Sequence, residues 1–307
     1  MESPQTIDYK IKKFAMDCTH IVTVFCQGNG ASRAQAAKYA GPQGLNLLTS
    51  EGYVERVFIR DAPPLLHNLF VYPELSDVGH GFSCNPLHWI THLVQLFVLW
   101  YFGVQGASAH HTHPTEMNVG GDQDVAEYLI GVRDAIRVHP QKRIVLFGCS
   151  RGAATVLVAV NRLTVEERRH IALVVTEGPF DTVPHVAHCI ARVDGWFPDP
   201  LATWRTEWML RLLSRFAKYR PEQESPLQAV QTWPLDTPLA VVRSRVDDVV
   251  PEECTLPLLA RLRERSHPHL HELILQKSGH TNMSCGDAAD CESYLEFMRG
   301  LYERYAK

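Results

Sequence analysis

Although the chain contains eight cysteines, no two are spaced Cys-x-x-Cys, so a structural zinc knuckle is not expected. The first residues, Met1-Glu2-Ser3-Pro4-Gln5, open no apolar run of the signal-peptide type. Taken with the unpaired cysteine spacing, this predicts reduced thiols in a cytoplasmic protein. A phosphate-cradling loop is missing too, because neither G-x-G-x-x-G nor G-K-[ST] is spelled anywhere. A large excess of either charge sign is lacking: the formal net charge of −4 offers no support to nucleic-acid binding. Lysine and arginine are absent from the whole interval between Arg60 and Arg133. There is no internal repeat and no low-complexity linker, so residues 1–307 are read as one domain.

What is present is a long alternation of strand and helix signals. With 307 residues and 45% hydrophobic content, the chain can bury one large core. Runs rich in β-branched residues predict strands near 21–26, 55–60, 143–148, 171–176, 238–243 and 271–276. Helical stretches between them argue for an α/β fold, a mostly parallel sheet with helices on both faces. Two intervals are longer than a crossover needs, and insertions are expected near 62–120 and 179–233.

The most informative local pattern is Gly148-Cys149-Ser150-Arg151-Gly152. The strand-like run Arg143-Ile144-Val145-Leu146-Phe147 precedes it, and Ala153 to Val160 follows as the start of a helix. Strand, G-x-S-x-G and helix together form the context in which a serine sits on a tight, strained turn as a nucleophile. Residues with almost no side chain must flank such a turn, as Gly148 and Gly152 do. Ala153 and Ala154 then let the helix pack close to the strand. The helix N-terminus directs backbone N–H groups toward the place where negative charge develops in acyl transfer. Serine is also a common helix N-cap, the competing reading of Ser150.

Partners for that serine follow downstream. The segment from Leu239 to Pro251 runs from an apolar strand into a loop with Asp247 and Asp248, and the segment from Glu272 leads to Gly279 and His280. The order Ser150, Asp247, His280 resembles the Ser…Asp…His order of the α/β-hydrolase superfamily. The resemblance covers roughly residues 20–300 in layout and only the quoted segments in detail. It implies an α/β-hydrolase fold with cap or lid insertions and a catalytic triad in which Ser150 attacks, His280 acts as base and Asp247 orients it. Asp247 stands four residues before Pro251, matching the Asp-x-x-Val-Pro loop of the superfamily, and Asp248 is read as a surface or loop-capping residue. Glu177 and Asp181 follow the preceding strand and are alternative acids.

By the same resemblance, Gln27-Gly28-Asn29-Gly30 after the first strand supplies one backbone donor of an oxyanion hole, with the amides of Asn29 and Arg151 as the pair. Gln27 replaces a frequent histidine there, and a plain glycine-rich turn is the competing reading. Ser150-Arg151-Gly152-Ala153 is also similar to the elbow of a group of bacterial phospholipase effectors.

The insertions bear on the substrate. Pro86–Val104 is apolar apart from a stripe of His88, Thr91, His92 and Gln95. It is long enough for a membrane span, but missing basic flanks and internal histidines favour a cap or buried helix against the site. His110-His111-Thr112-His113, with His67 and His80, is read as solvated rather than metal-ligating. In 179–233, Trp196, Phe197, Trp204, Trp208, Met209, Leu212, Leu213 and Phe216 supply apolar surface, and Arg205, Arg211, Arg215, Lys218 and Arg220 positive charge. This composition suits peripheral membrane contact through the cap helices, and equally an ordinary lid with its arginines in solvent.

The expectation is a serine hydrolase without cofactor or metal, cleaving an ester or thioester with an apolar acyl group, its substrate a small molecule or a lipid. Lipase, phospholipase and peptidase activities of the same fold stay open, as do acyl transfer and a non-catalytic binding role.

Overall fold

The structure, a computed structural model, describes residues 21–26, 69–71, 121–192, 199–216, 219–280, 282–284 and 286–306. The expected strand at 55–60, the Gln27–Gly30 loop, the Pro86–Val104 helix and the histidines at 67, 80 and 110–113 lie outside these residues.

Among the described residues, six strands form one sheet: β1 (Ile21–Cys26), β2 (Leu69–Val71), β3 (Arg143–Cys149), β4 (Ile171–Glu177), β5 (Leu239–Ser244) and β6 (Leu270–Leu275). Their spatial order is β2-β1-β3-β4-β5-β6, and every pairing is parallel. Strands buried on both faces read as near-continuous apolar runs, and β1, β4 and β5 are buried along their whole length. Leu69–Val71 falls in a stretch read from sequence as part of an insertion. Three residues are too few to show alternation, so sequence alone gives no strand signal there.

The helices are α1 (Asp122–Val138), α2 (Arg151–Asn161), α3 (Val165–Arg168), α4 (Val183–Arg192), α5 (Asp199–Phe216), α6 (Pro226–Gln231), α7 (Glu252–Glu264) and α8 (Ala288–Tyr305). Strand periodicity sends alternate side chains into two cores. Val22, Val24, Ile144, Leu146, Val174 and Val241 pack with residues of α1, α2, α6 and α7 on one face. Ile21, Phe25, Val145, Phe147, Val175 and Val242 pack on the other face with Tyr294, Met298, Leu301 and Tyr302 of α8. The sheet is therefore covered on both sides.

The parallel register brings the C-terminal ends of the strands to one edge: Cys26 is level with Gly148, Cys149 with Glu177, and Ser244 with Leu275. Loops leaving that edge carry Ser150, Gly178, Asp247 and His280. This is where ligands bind in open parallel sheets.

Between β4 and β5, the described residues of the stretch 179–233 include helices α4, α5 and α6. Arg205 does not lie in solvent as the lid reading had it. It is buried within α5 and donates to the Ala191 carbonyl at 3.4 Å, tying α5 to α4. Trp204 beside it is 57% exposed. Among the described residues, no helix is long and apolar enough to cross a membrane.

Candidate active site

Ser150 is held at φ 54° and ψ −119°, a conformation that costs an L-residue energy and persists only when its surroundings impose it. Two contacts impose it here. The Ser150 N–H donates to the Glu177 carbonyl at 2.7 Å, so the turn is pinned to the end of the neighbouring strand β4. Helix α2 then begins immediately, packed so tightly that a Cβ on Gly148 would fall 2.4 Å from the Gly152 carbonyl oxygen and 2.8 Å from the Ala153 Cα. Any side chain at 148 would push the helix off the strand. Ser150 occupies the N-cap position of α2, but its side chain makes no capping hydrogen bond, so the hydroxyl is not consumed by the helix.

Arg151, the first residue of α2, has its backbone N–H at the positive end of the helix. Its side chain is buried and its Nε lies 3.1 Å from Oδ2 of Asp124, itself fully buried on α1. This ion pair fastens the residue after the serine turn to a second helix. Sequence analysis missed it, since Asp124 lies among ordinary first-turn acids of α1.

The Asp247 carboxylate is fixed by its own loop. Oδ1 accepts the N–H groups of Val249 and Val250 at 3.0 and 2.7 Å, leaving Oδ2 free to face His280. His280 Nδ1 lies 2.8 Å from that Oδ2. The carboxylate is only 1% exposed and the imidazole 13%, so the pair sits in a poorly solvated place. Asp248, by contrast, is exposed.

Gly178 links this pair to the serine turn. It follows Glu177, whose carbonyl holds Ser150, and adopts φ 54°, natural only for glycine. A Cβ there would meet Asp247 Oδ2 at 3.3 Å and His280 Cε1 at 3.5 Å. The Asp–His pair is thus packed against the strand end beside the serine.

The two other carboxylates considered for this site face elsewhere. Glu177 is buried on the α8 side, where it accepts from the Tyr294 hydroxyl and lies 3.6 Å from the Cys149 thiol. Burial first, and the nearby Glu177 carboxylate second, push the Tyr294 phenol well above its ordinary value. Asp181 pairs with His185, Oδ2 to Nδ1 at 2.8 Å. Of the three acids, Asp247 is the one against His280. Asn29 lies outside the described residues.

The loop carrying His280 has an anchor that sequence analysis also missed. The Asp290 carboxylate, in the first turn of α8, accepts the consecutive N–H groups of Gln276, Lys277 and Ser278 at 2.7–3.2 Å. Burial alone would raise this carboxyl, but those three amides hold it below its usual value. An early acid in a helix is ordinarily read as a dipole partner, so nothing local marks it as the clamp of a distant loop.

No family model matches the chain, and no curated protein matches it. Solved structures do. An esterase of Pyrococcus furiosus aligns over 96% of this chain and 85% of its own, with 14% identity and a TM-score of 0.52. An acylaminoacyl peptidase of Pyrococcus horikoshii aligns over 94% of this chain, with 15% identity and a TM-score of 0.53. This chain spans only 37% of the peptidase's length. At such identities the likeness is one of fold. Strand order, parallel register and the strand–turn–helix at Ser150 agree with it: the chain has the α/β-hydrolase fold.

Proposed function

We propose that the protein is a serine hydrolase acting through an acyl-enzyme. The observation that carries this reading is the strained Ser150, its hydroxyl unused by the helix it caps, pinned to the Glu177 carbonyl one residue before Gly178, against which the desolvated His280–Asp247 pair packs. In the proposed cycle His280 Nε2 takes the seryl proton as Oγ adds to the acyl carbonyl. Asp247 accepts from Nδ1, fixing the tautomer and stabilising the imidazolium that forms. The carbonyl oxygen becomes an oxyanion beside the Arg151 amide, with the Asn29 amide as the second donor. Collapse expels the alcohol or thiol, which takes its proton from His280. Water then repeats the sequence on the acyl-enzyme and releases the acid.

The proposed substrate is an ester or thioester with an apolar acyl group, a small molecule or a lipid. Cap composition supports it: α5 exposes Trp204 and Leu201 beside the exposed cations Arg211 and Arg215. Such a surface suits an apolar chain, or a lipid layer with acidic headgroups.

A fluorophosphonate probe tests the chemistry. Labelling of the folded protein that disappears in Ser150→Ala is the expected result, and an unlabelled wild type would make this a binding protein of the same fold. A series of p-nitrophenyl esters of rising chain length tests the acyl preference. Rates that fall steadily from acetate upward would remove the apolar-acyl assignment.

A further inference from the structure

Behind the Asp247 loop, three side chains with metal-binding chemistry meet. His185 and Cys189 lie one turn apart on α4 and so share a helix face. Cys254, in the first turn of α7, faces them, its Sγ 3.3 Å from that of Cys189. One donor atom from each of His185, Cys189 and Cys254 lies within 4.8 Å of the other two. Donors around a tetrahedral zinc ion, at bond lengths of about 2.0–2.3 Å, stand roughly 3.3–3.8 Å apart. Only a small contraction therefore separates the observed group from a coordination sphere.

The surroundings favour the same use. Asp181 engages Nδ1 of His185 at 2.8 Å, which leaves Nε2 for a metal and places a carboxylate behind the ligating ring. Both sulfurs are buried, but the His185 side chain is 34% exposed, so an ion has a way in. Glu253 Oε1 lies 3.0 Å from the Cys189 sulfur and can take its proton. Two thiolates and an imidazole suit zinc better than magnesium or calcium.

We propose that His185, Cys189 and Cys254 form a zinc site that closes α4, at the root of the segment between β4 and β5, onto α7, which follows the Asp247 loop. Each thiol gives up its proton as its sulfur binds, and His185 Nε2 donates a lone pair. One zinc thus displaces two protons, and the two thiolate charges balance the ion's. The fourth position lies toward solvent on the His185 side and takes water. Cys189, Cys254, Phe180 and Val250 share one apolar cluster, so the ion would stiffen the support of the Asp247 loop without touching substrate. The site does not depend on the hydrolase assignment.

Cobalt(II), added to the full-length, chelator-treated and reduced protein, is the probe. The expected result is one cobalt per chain with a thiolate-to-cobalt charge-transfer band and tetrahedral d–d bands, both erased by added zinc. Cys189→Ser and Cys254→Ser should each abolish that spectrum while retaining the wild-type circular dichroism. Asp181→Asn should weaken cobalt binding about 10–100-fold. Cobalt bound without a charge-transfer band, as histidines elsewhere in the chain would bind it, overturns the proposal. So does a band that survives both serine variants, or a reduced sample whose mass shows a Cys189–Cys254 disulfide. If a serine variant does not fold, the wild-type spectrum still decides, because a folded protein lacking the band has no such site.

Discussion

Among the described residues are two aspartate–histidine pairs of the same length, and they differ in almost everything else. Asp247–His280 and Asp181–His185 both place Oδ2 2.8 Å from Nδ1. The first joins residues 33 apart in sequence, each on a loop leaving a different strand; the second spans four residues at the start of one helix. His280 faces the glycine that adjoins the serine turn, whereas His185 faces two thiols. Asp247 spends its second oxygen on two amides of its own loop, and Asp181 gives its second oxygen to the Thr182 N–H. An aspartate that orients an imidazole is thus a general-purpose part. What the ring's other nitrogen faces decides between proton transfer and metal ligation.

The largest expected effects break this comparison most cleanly. Ser150→Ala and His280→Ala should each lower kcat for a p-nitrophenyl ester by on the order of 10⁶-fold. His185→Ala should leave kcat close to wild type, and equal losses at both histidines would mean that geometry alone does not separate the pairs. Next comes the acid. Asp247→Asn should cost on the order of 10⁴ in kcat, because the amide favours the wrong tautomer of His280. Asp181→Asn and Glu177→Gln should cost far less. A severe Glu177→Gln beside a nearly silent Asp247→Asn would reassign the acid.

Much of this could be read from sequence, and the limits have a physical cause. Strands β1, β3, β4 and β5 announce themselves because burial on both faces demands near-continuous apolar runs, and their observed bounds, like those of the partly exposed β6, lie within a residue or so of those expected. The turn at Ser150 is legible because its constraint is local: Gly148 and Gly152 must be small wherever the rest of the chain goes. The relation among Glu177, Asp181 and Asp247 is not local. Glu177 ends a strand and the other two follow one, and only the three-dimensional packing decides which of them meets His280. Asp124 with Arg151, Asp290 with the loop before His280, and Cys189 with Cys254 are invisible for the same reason. Each joins an unremarkable residue to another at least 12 positions away. Cysteine spacing along the chain carries no information about which thiols meet across the fold.

A smaller effect should come from the loop that presents His280. Asp290→Ala leaves three consecutive amides without their carboxylate, which should destabilise the fold by about 2–3 kcal/mol, measured by urea denaturation at neutral pH. The pH dependence has a definite sign. The amides hold the Asp290 carboxyl below its unfolded value, so its contribution is complete above about pH 4–5 and is lost as pH falls through the folded value. Wild type and Asp290→Asn should therefore differ most at neutral pH and converge in acid. A gap that widens on acidification would mean that the carboxylate is not what the three amides hold.

The smallest effect sharpens the comparison at a single carbon. Gly178→Ala must place a Cβ at φ 54°, at a cost of about 1–2 kcal/mol, and 3.3 Å from Asp247 Oδ2. That oxygen can yield only by shifting its bond to His280 Nδ1. The variant should accordingly lose about 2–8 °C in Tm and, separately, kcat at unchanged KM, since a displaced base weakens transition-state interactions more than substrate binding. Gly279→Ala is the matched control. It adds the same methyl group next to His280, but its Cβ meets nothing within 4 Å and its φ is not left-handed. If both variants lose kcat equally, any perturbation near residue 280 suffices. If only Gly178→Ala does, the contact between the end of β4 and the Asp247–His280 pair sets the working position of the imidazole.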